Sequence, residues 1–214
     1  MPAAYLNTKY LKMATSILEW AEQKYTAENA AMTRPPNSIP SKQVCPFLKP
    51  SLDSDFFYLA FHPEVNGADI TVIETLMLSY IQTFKLQPPF SSADQVKKAM
   101  LVVFPELPEG QSRILDRVHE RIKDKFVEKG LMVAQFHKFC DERSIHNHAL
   151  KTQNSDYPLM AIRHMQRHDI IFLGENAEWF NWFNFYWAQH FKEQKEPADY
   201  YTDQYRIAHD RHRP

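Results

Sequence analysis

Four short apolar runs punctuate the chain, each bracketed by proline, glycine or polar residues. They are Phe56–Phe61, Lys98–Phe104, Leu131–Phe136 and Leu159–His164. Runs of this length bounded by turn residues predict strands. Between and around them, apolar positions recur every three or four residues, which predicts helices over 3–29, from Ile70 to the Pro88-Pro89 pair, over 111–129 and over 176–193. In the first helix the apolar stripe is Leu11, Ile17, Leu18, Ala21 and Tyr25. In the second it is Val72, Ile73, Leu76, Met77, Tyr80, Ile81 and Phe84, with Asp69 as N-cap. Gly130 closes the third helix. A proline-rich connector, Thr33–Lys42, follows the first helix, and a polar loop holding Cys140, His146 and His148 runs through Ser155. The order predicts an α+β fold, a small mixed β-sheet packed against helices, with an N-terminal helical arm and an aromatic C-terminal helix. We expect a single domain over 1–214, divided into an arm (1–32), a core (44–194) and a polar tail (195–214). In that tail Tyr200, Tyr201 and Tyr205 are docking points, and residues 208–214 are loose.

Composition narrows the function classes. Lys and Arg number 25 against 26 Asp and Glu, so there is no electrostatic case for nucleic acid. With four glycines, the 214 residues contain no phosphate-cradling glycine motif. Two cysteines make no disulfide framework and suit a reducing compartment, and no apolar run reaches the roughly 18 residues of a membrane span. The expectation is a cytoplasmic protein with a small-molecule substrate and no membrane partner. The first helix could also serve a homodimer interface.

The candidate chemistry centres on Val44–Val65. Cys45-Pro46-Phe47 opens a loop, and the aromatic strand behind it ends at His62-Pro63, where proline must stop the ladder. A thiol and an imidazole flanking aromatic bulk suit a metal or haem pocket, and an ordinary core has the same look. Arg163 stands in an otherwise apolar strand and therefore needs a carboxylate or a ligand anion, with Asp169 one candidate. Replacing Arg163 with Leu should weaken cofactor or substrate binding more than folding. Aromatics crowd every side of the last helix, from Trp179 through Trp182 to Trp187, so it is either enclosed or faces a flat ligand.

Cys45-Pro46-Phe47, Gln135-Phe136-His137, Pro158 with Ala161-Ile162-Arg163-His164-Met165, and Asp169 with Phe172-Leu173 resemble an uncharacterised family of small bacterial proteins. That family carries CPF, QFHP and AIRHM motifs. The resemblance spans about Val44 to Leu173, and Lys138 stands where the family has proline. A more distant, architectural similarity is to bacterial haem-dependent N-oxygenases. It implies a haem cofactor and oxidation of an amino-acid or amine nitrogen. On that reading His137 and His62 are the axial-ligand candidates, with Cys45 third and His137 preferred. Arg163 and His164 would meet the propionates, and the helix carrying Trp182 would form a wall. The competing readings are a non-catalytic ligand- or partner-binding module and a non-haem metalloenzyme using His137, His146 and His148.

Overall fold

The computed structural model describes residues 8–29, 32, 34–38, 42–67, 69–193 and 198–213. In chain order the elements are α1 (Thr8–Ala21), a π-helical turn (Glu22–Thr26), α2 (Leu48–Asp53), β1 (Phe57–Phe61), α3 (Ile70–Leu86) and α4 (Ser92–Gln95). Then come β2 (Ala99–Val103), α5 (Ile114–Glu128), β3 (Leu131–Phe136), β4 (Arg143–Ser144) and β5 (Asn147–Lys151). The chain closes with β6 (Leu159–His164), α6 (Ile170–Leu173), α7 (Ala177–Glu193) and α8 (Tyr200–Arg211). The main sheet has the order β1-β2-β6-β3. β1 and β2 are parallel, and β6 lies antiparallel between β2 and β3. The fold is α+β with a mixed sheet, an N-terminal helix and an aromatic helix toward the C-terminus, as the apolar pattern predicts.

Strand alternation sends successive side chains to opposite faces, and the two faces are used differently. On one face, Met100, Val102, Val133, Met160 and Ile162 meet Ile73, Met77 and Phe84 of α3 and Leu115, Val118, Ile122 and Phe126 of α5. Each such burial contributes about 1.5–3 kcal/mol, so this side is the principal core. Asp69 accepts hydrogen bonds from the amides of Thr71 and Val72, capping α3. α5 ends at Glu128 and the chain turns away at Gly130, whose φ of +72° glycine adopts without strain.

On the other face α1 covers only one end of the sheet. Ile17 packs there on Leu101, Val103 and Leu159. The expected stripe of this helix is only partly buried. Ile17, Ala21 and Tyr25 are inside, whereas Leu11 and Leu18 are exposed at 52% and 37%. The expected helix 3–29 instead begins within the described residues at Thr8 and changes at Glu22 to the π-helical turn; positions 3–7 lie outside those residues.

The polar segment before Ser155 holds a small hairpin, β4–β5, rather than a loop alone. The tail is not loose at residues 208–212, because α8 runs through Arg211, Ala208 is buried and the His212 ring reaches the Gly174 carbonyl; Pro214 lies outside the described residues. Asp199 caps α8 by accepting from the Thr202 amide at 2.9 Å. Tyr201, Tyr205 and Ala208, on one face at helical spacing, join Phe180, Phe183 and Phe191 of α7 in a second core. Tyr205 stacks on Phe191 with ring centroids 4.3 Å apart, so it is a core side chain and not a docking point. No helix among the described residues is long and apolar enough to cross a membrane.

Candidate functional site

The half-covered face of the sheet forms the floor of a cleft of about 400 Å³. Its register explains the space. Leu101, Ala161 and Ala134 stand side by side across β2, β6 and β3, and Ala99, Arg163 and Met132 form the next row. Three alanines where the other face carries Met, Val and Ile leave volume that no side chain among the described residues fills. The first row past α1, by contrast, is filled by Val103, Leu159 and Phe136 beneath Ile17 and Trp20.

The walls come from four segments. Trp20, Ala21 and Tyr25 close one side. The π-helical turn aims Tyr25 across the cleft, where its hydroxyl donates to the Thr152 carbonyl at 2.6 Å, and Lys24 donates to the Asn154 carbonyl. Burial pushes the Tyr25 phenol far above its ordinary pKa. Val44, Cys45, Pro46 and Phe47 form the roof, fixed by the Cys45 amide donating to the Tyr25 carbonyl at 3.2 Å. The β4–β5 hairpin contributes Arg143, Ser144, Ile145 and His146, and the far end is closed by His168 and Tyr201.

Arg163 rises from the floor at that far end. Its guanidinium donates to both oxygens of Asp169 at 2.6 and 2.7 Å and to the His164 carbonyl at 3.0 Å. Asp169 is 1% exposed and Arg163 23%, so the carboxylate is the buried partner and the cation looks into the cleft. Burial works against the arginine's charge, but Asp169 outweighs it and the guanidinium pKa rises. Phe47 covers the guanidinium at 4.6 Å, a cation–π contact joining roof to floor. The carboxylate that an arginine in an apolar strand demands is therefore Asp169. Among the described residues the rest of the lining is mainly apolar, with Arg34 and Arg143 at the rim, Lys97, Lys98 and Lys123 as further cations and Glu142 as the other acid. His119 reaches around the β3 edge to the Val133 carbonyl at 3.1 Å, and burial lowers its pKa to about 4.

The expected site residues do not all converge. Of the three axial-ligand candidates, Cys45 lines the cleft and His62 and His137 do not. His62 sits beyond β1 with both nitrogens engaged, one by Glu64 and the other by the Tyr80 hydroxyl, each at 2.5 Å. His137 follows β3 at the opposite edge of the sheet; it is fully buried, and its Nε2 lies 2.9 Å from Asp116 Oδ1. His164 neighbours Arg163 on the strand and so faces the other side, its ring 5.2 Å from that of Phe84. One ligand cannot meet both. Trp182 packs at the margin of the second core, against Phe185. It forms no wall of the cleft. His146 borders the cleft, whereas His148 is exposed on the hairpin.

The sequence reading missed the alanine floor, Phe47 above Arg163, and Asp116. Only the alanines had a readable signal, small residues inside otherwise bulky strands, and that signal means something only once the register is known. No curated protein sequence and no solved structure matches the chain. Residues 14–198 match a domain of unknown function, DUF6875, and the chain belongs to that family.

Proposed function

We propose that this protein binds a small anionic molecule with an apolar body on the half-covered face of its sheet. The observation that carries this reading is the alanine floor beneath an arginine-rimmed cleft. A volume of about 400 Å³ lies in the range of small-molecule sites, and a mainly apolar lining with a few convergent polar groups is their usual chemistry. Among the described residues Arg34, Lys97, Lys98, Lys123, Arg143 and Arg163 outnumber Glu142 and Asp169, so the field in this partly enclosed cleft favours an anion. The two cysteines are free, in keeping with a cytoplasmic setting.

The test uses a matched pair of fluorescent probes, 1-anilinonaphthalene-8-sulfonate and the uncharged N-phenyl-1-naphthylamine. The expected result is one site per chain, at least tenfold tighter for the sulfonate. Ala161→Leu, which fills the floor, should abolish that site while leaving the melting temperature nearly unchanged. Equal affinity for the two probes would remove the anion preference. Binding unaffected by Ala161→Leu would place the ligand elsewhere.

A second reading, a haem-dependent oxygenase acting on an amine nitrogen, is favoured by one observation: a free thiol, Cys45, in the roof of an apolar cleft with arginines at its rim. Haem belongs to the same ligand class, a flat apolar body bearing carboxylates. Cys45 would be the ligand and the rim arginines would meet the carboxylates. When bound, haem would supply oxygen activation. Titration with haemin should then give a thiolate-type Soret spectrum that Cys45→Ala removes; absence of any Soret band in the wild type would sink this second reading and leave the first standing.

A further inference from the structure

A second cluster of chemistry-bearing side chains lies on the principal-core side of β3. There Asp116 in the first turn of α5, His137 just past β3 and Cys140 three residues later offer a carboxylate oxygen, an imidazole nitrogen and a sulfur, all within 4.8 Å of one another. We propose that Asp116, His137 and Cys140 bind a divalent transition-metal ion of zinc type.

The backbone assembles the donors. The Cys140 amide donates to the His137 carbonyl at 3.1 Å, so a tight turn brings the side chains of residues 137 and 140 to one place. An isolated parallel bridge to Asn154 and the Ser155 amide bonding the His137 carbonyl at 3.2 Å hold that turn. Asp116 reaches it from α5, 2.9 Å from His137 Nε2. His137 and Cys140 are 0% and 1% exposed, while the Asp116 side chain is 34% exposed and gives the cluster its open side. A mixed nitrogen, oxygen and sulfur donor set is the kind zinc and cobalt take, and three protein ligands leave a position for solvent.

Unpaired polar atoms supply the independent observation. His137 Nδ1 and Gln135 Oε1 are both buried with no hydrogen-bond partner among the described residues. Gln135 belongs to the same cluster, its amide nitrogen 3.3 Å from Asp116 Oδ1 and 4.0 Å from Cys140 Sγ. A buried hydrogen-bonded cluster without a ligand ordinarily satisfies such atoms. An ion held by His137 Nδ1 would take up that nitrogen's lone pair and leave Nε2–H donating to Asp116. This site is separate from the cleft, although Gln135 and Gln153 border both: Cys140 Sγ lies 4.0 Å from Gln153 Oε1.

The experiment is titration of metal-free protein with Co²⁺ alone, followed by displacement with Zn²⁺. Binding of one equivalent should produce a near-ultraviolet thiolate-to-cobalt charge-transfer band, reversed by zinc. Cys140→Ser should remove the band and His137→Gln should weaken cobalt binding at least tenfold, whereas Cys45→Ser should change neither. Circular dichroism of each variant checks the fold. Should the core variants not fold, zinc-edge X-ray absorption of the zinc-loaded wild type decides, with one sulfur in the shell expected. No cobalt binding by the wild type, a band that survives Cys140→Ser or moves to Cys45, or a shell without sulfur would overturn the proposal.

Discussion

Arg163 and Asp169 cannot be altered separately without cost. Asp169 is buried, and it also accepts the Gln166 amide at 2.7 Å. Arg163→Leu would strand this carboxylate, a loss of roughly 3–5 kcal/mol in comparable buried pairs. Chemical denaturation should show that loss, and binding defects in that variant are then inseparable from folding. The sequence-based expectation of a binding effect larger than a folding effect thus gives way, because the partner is the protein's own carboxylate. Three histidines set a second residue-scale prediction. His119, His164 and His168 are each held near a pKa of about 4, below the ordinary 6.5, chiefly by burial. Between those values the unfolded chain binds more protons than the folded one, so stability is full above pH 6.5 and falls as the pH drops toward 4. Thermal melts across that window should show the fall. His164→Leu, which packs against Phe84 and has nothing to protonate, should reduce the fall by about a third, and an unchanged slope would count against burial of a neutral imidazole there.

At the scale of elements, the legible parts were those whose ends are marked by backbone chemistry. β3 and β6 match their predicted limits because Gly130 and Pro158 bracket their starts and polar residues end them. The β4–β5 hairpin was not legible, since Asn147–Lys151 is polar and lacks an apolar face. α8 was legible in principle: an Asp199 cap and a Tyr201, Tyr205, Ala208 stripe were present, but charged neighbours gave the segment the look of a tail. Of the candidate site, the Arg163–Asp169 pair could be read from the sequence because an isolated cation in an apolar strand requires a partner. The alanine floor could not, since neighbours on adjacent strands are set by pairing register. Gly130 supplies the prediction at this scale. It has positive φ, and a Cβ there would lie 3.1 Å from the Tyr186 ring, whose hydroxyl donates to the Glu128 carbonyl. Gly130→Ala should therefore cost about 1 kcal/mol or more, seen as a lowered denaturation midpoint. A neutral effect would mean that the α5–β3 junction readily changes its backbone.

The whole molecule divides its labour between the two faces of one sheet. α3 and α5 complete a dense core on one side. The arm, the CPF loop, the hairpin and Tyr201 of α8 enclose the other without filling it. The terminal helix is thus part of the cleft's end, tied there by the Arg167–Asp199 ion pair at 2.5 Å and by His168 packed on Tyr201 at 4.5 Å. The most direct test of this arrangement is a crystal structure of the protein grown with 1-anilinonaphthalene-8-sulfonate. Ring density should lie over Ala134 and Ala161 beneath Phe47, with the sulfonate turned to the arginine rim. A cleft filled by collapsed protein side chains, or ring density confined to another surface, would contradict it.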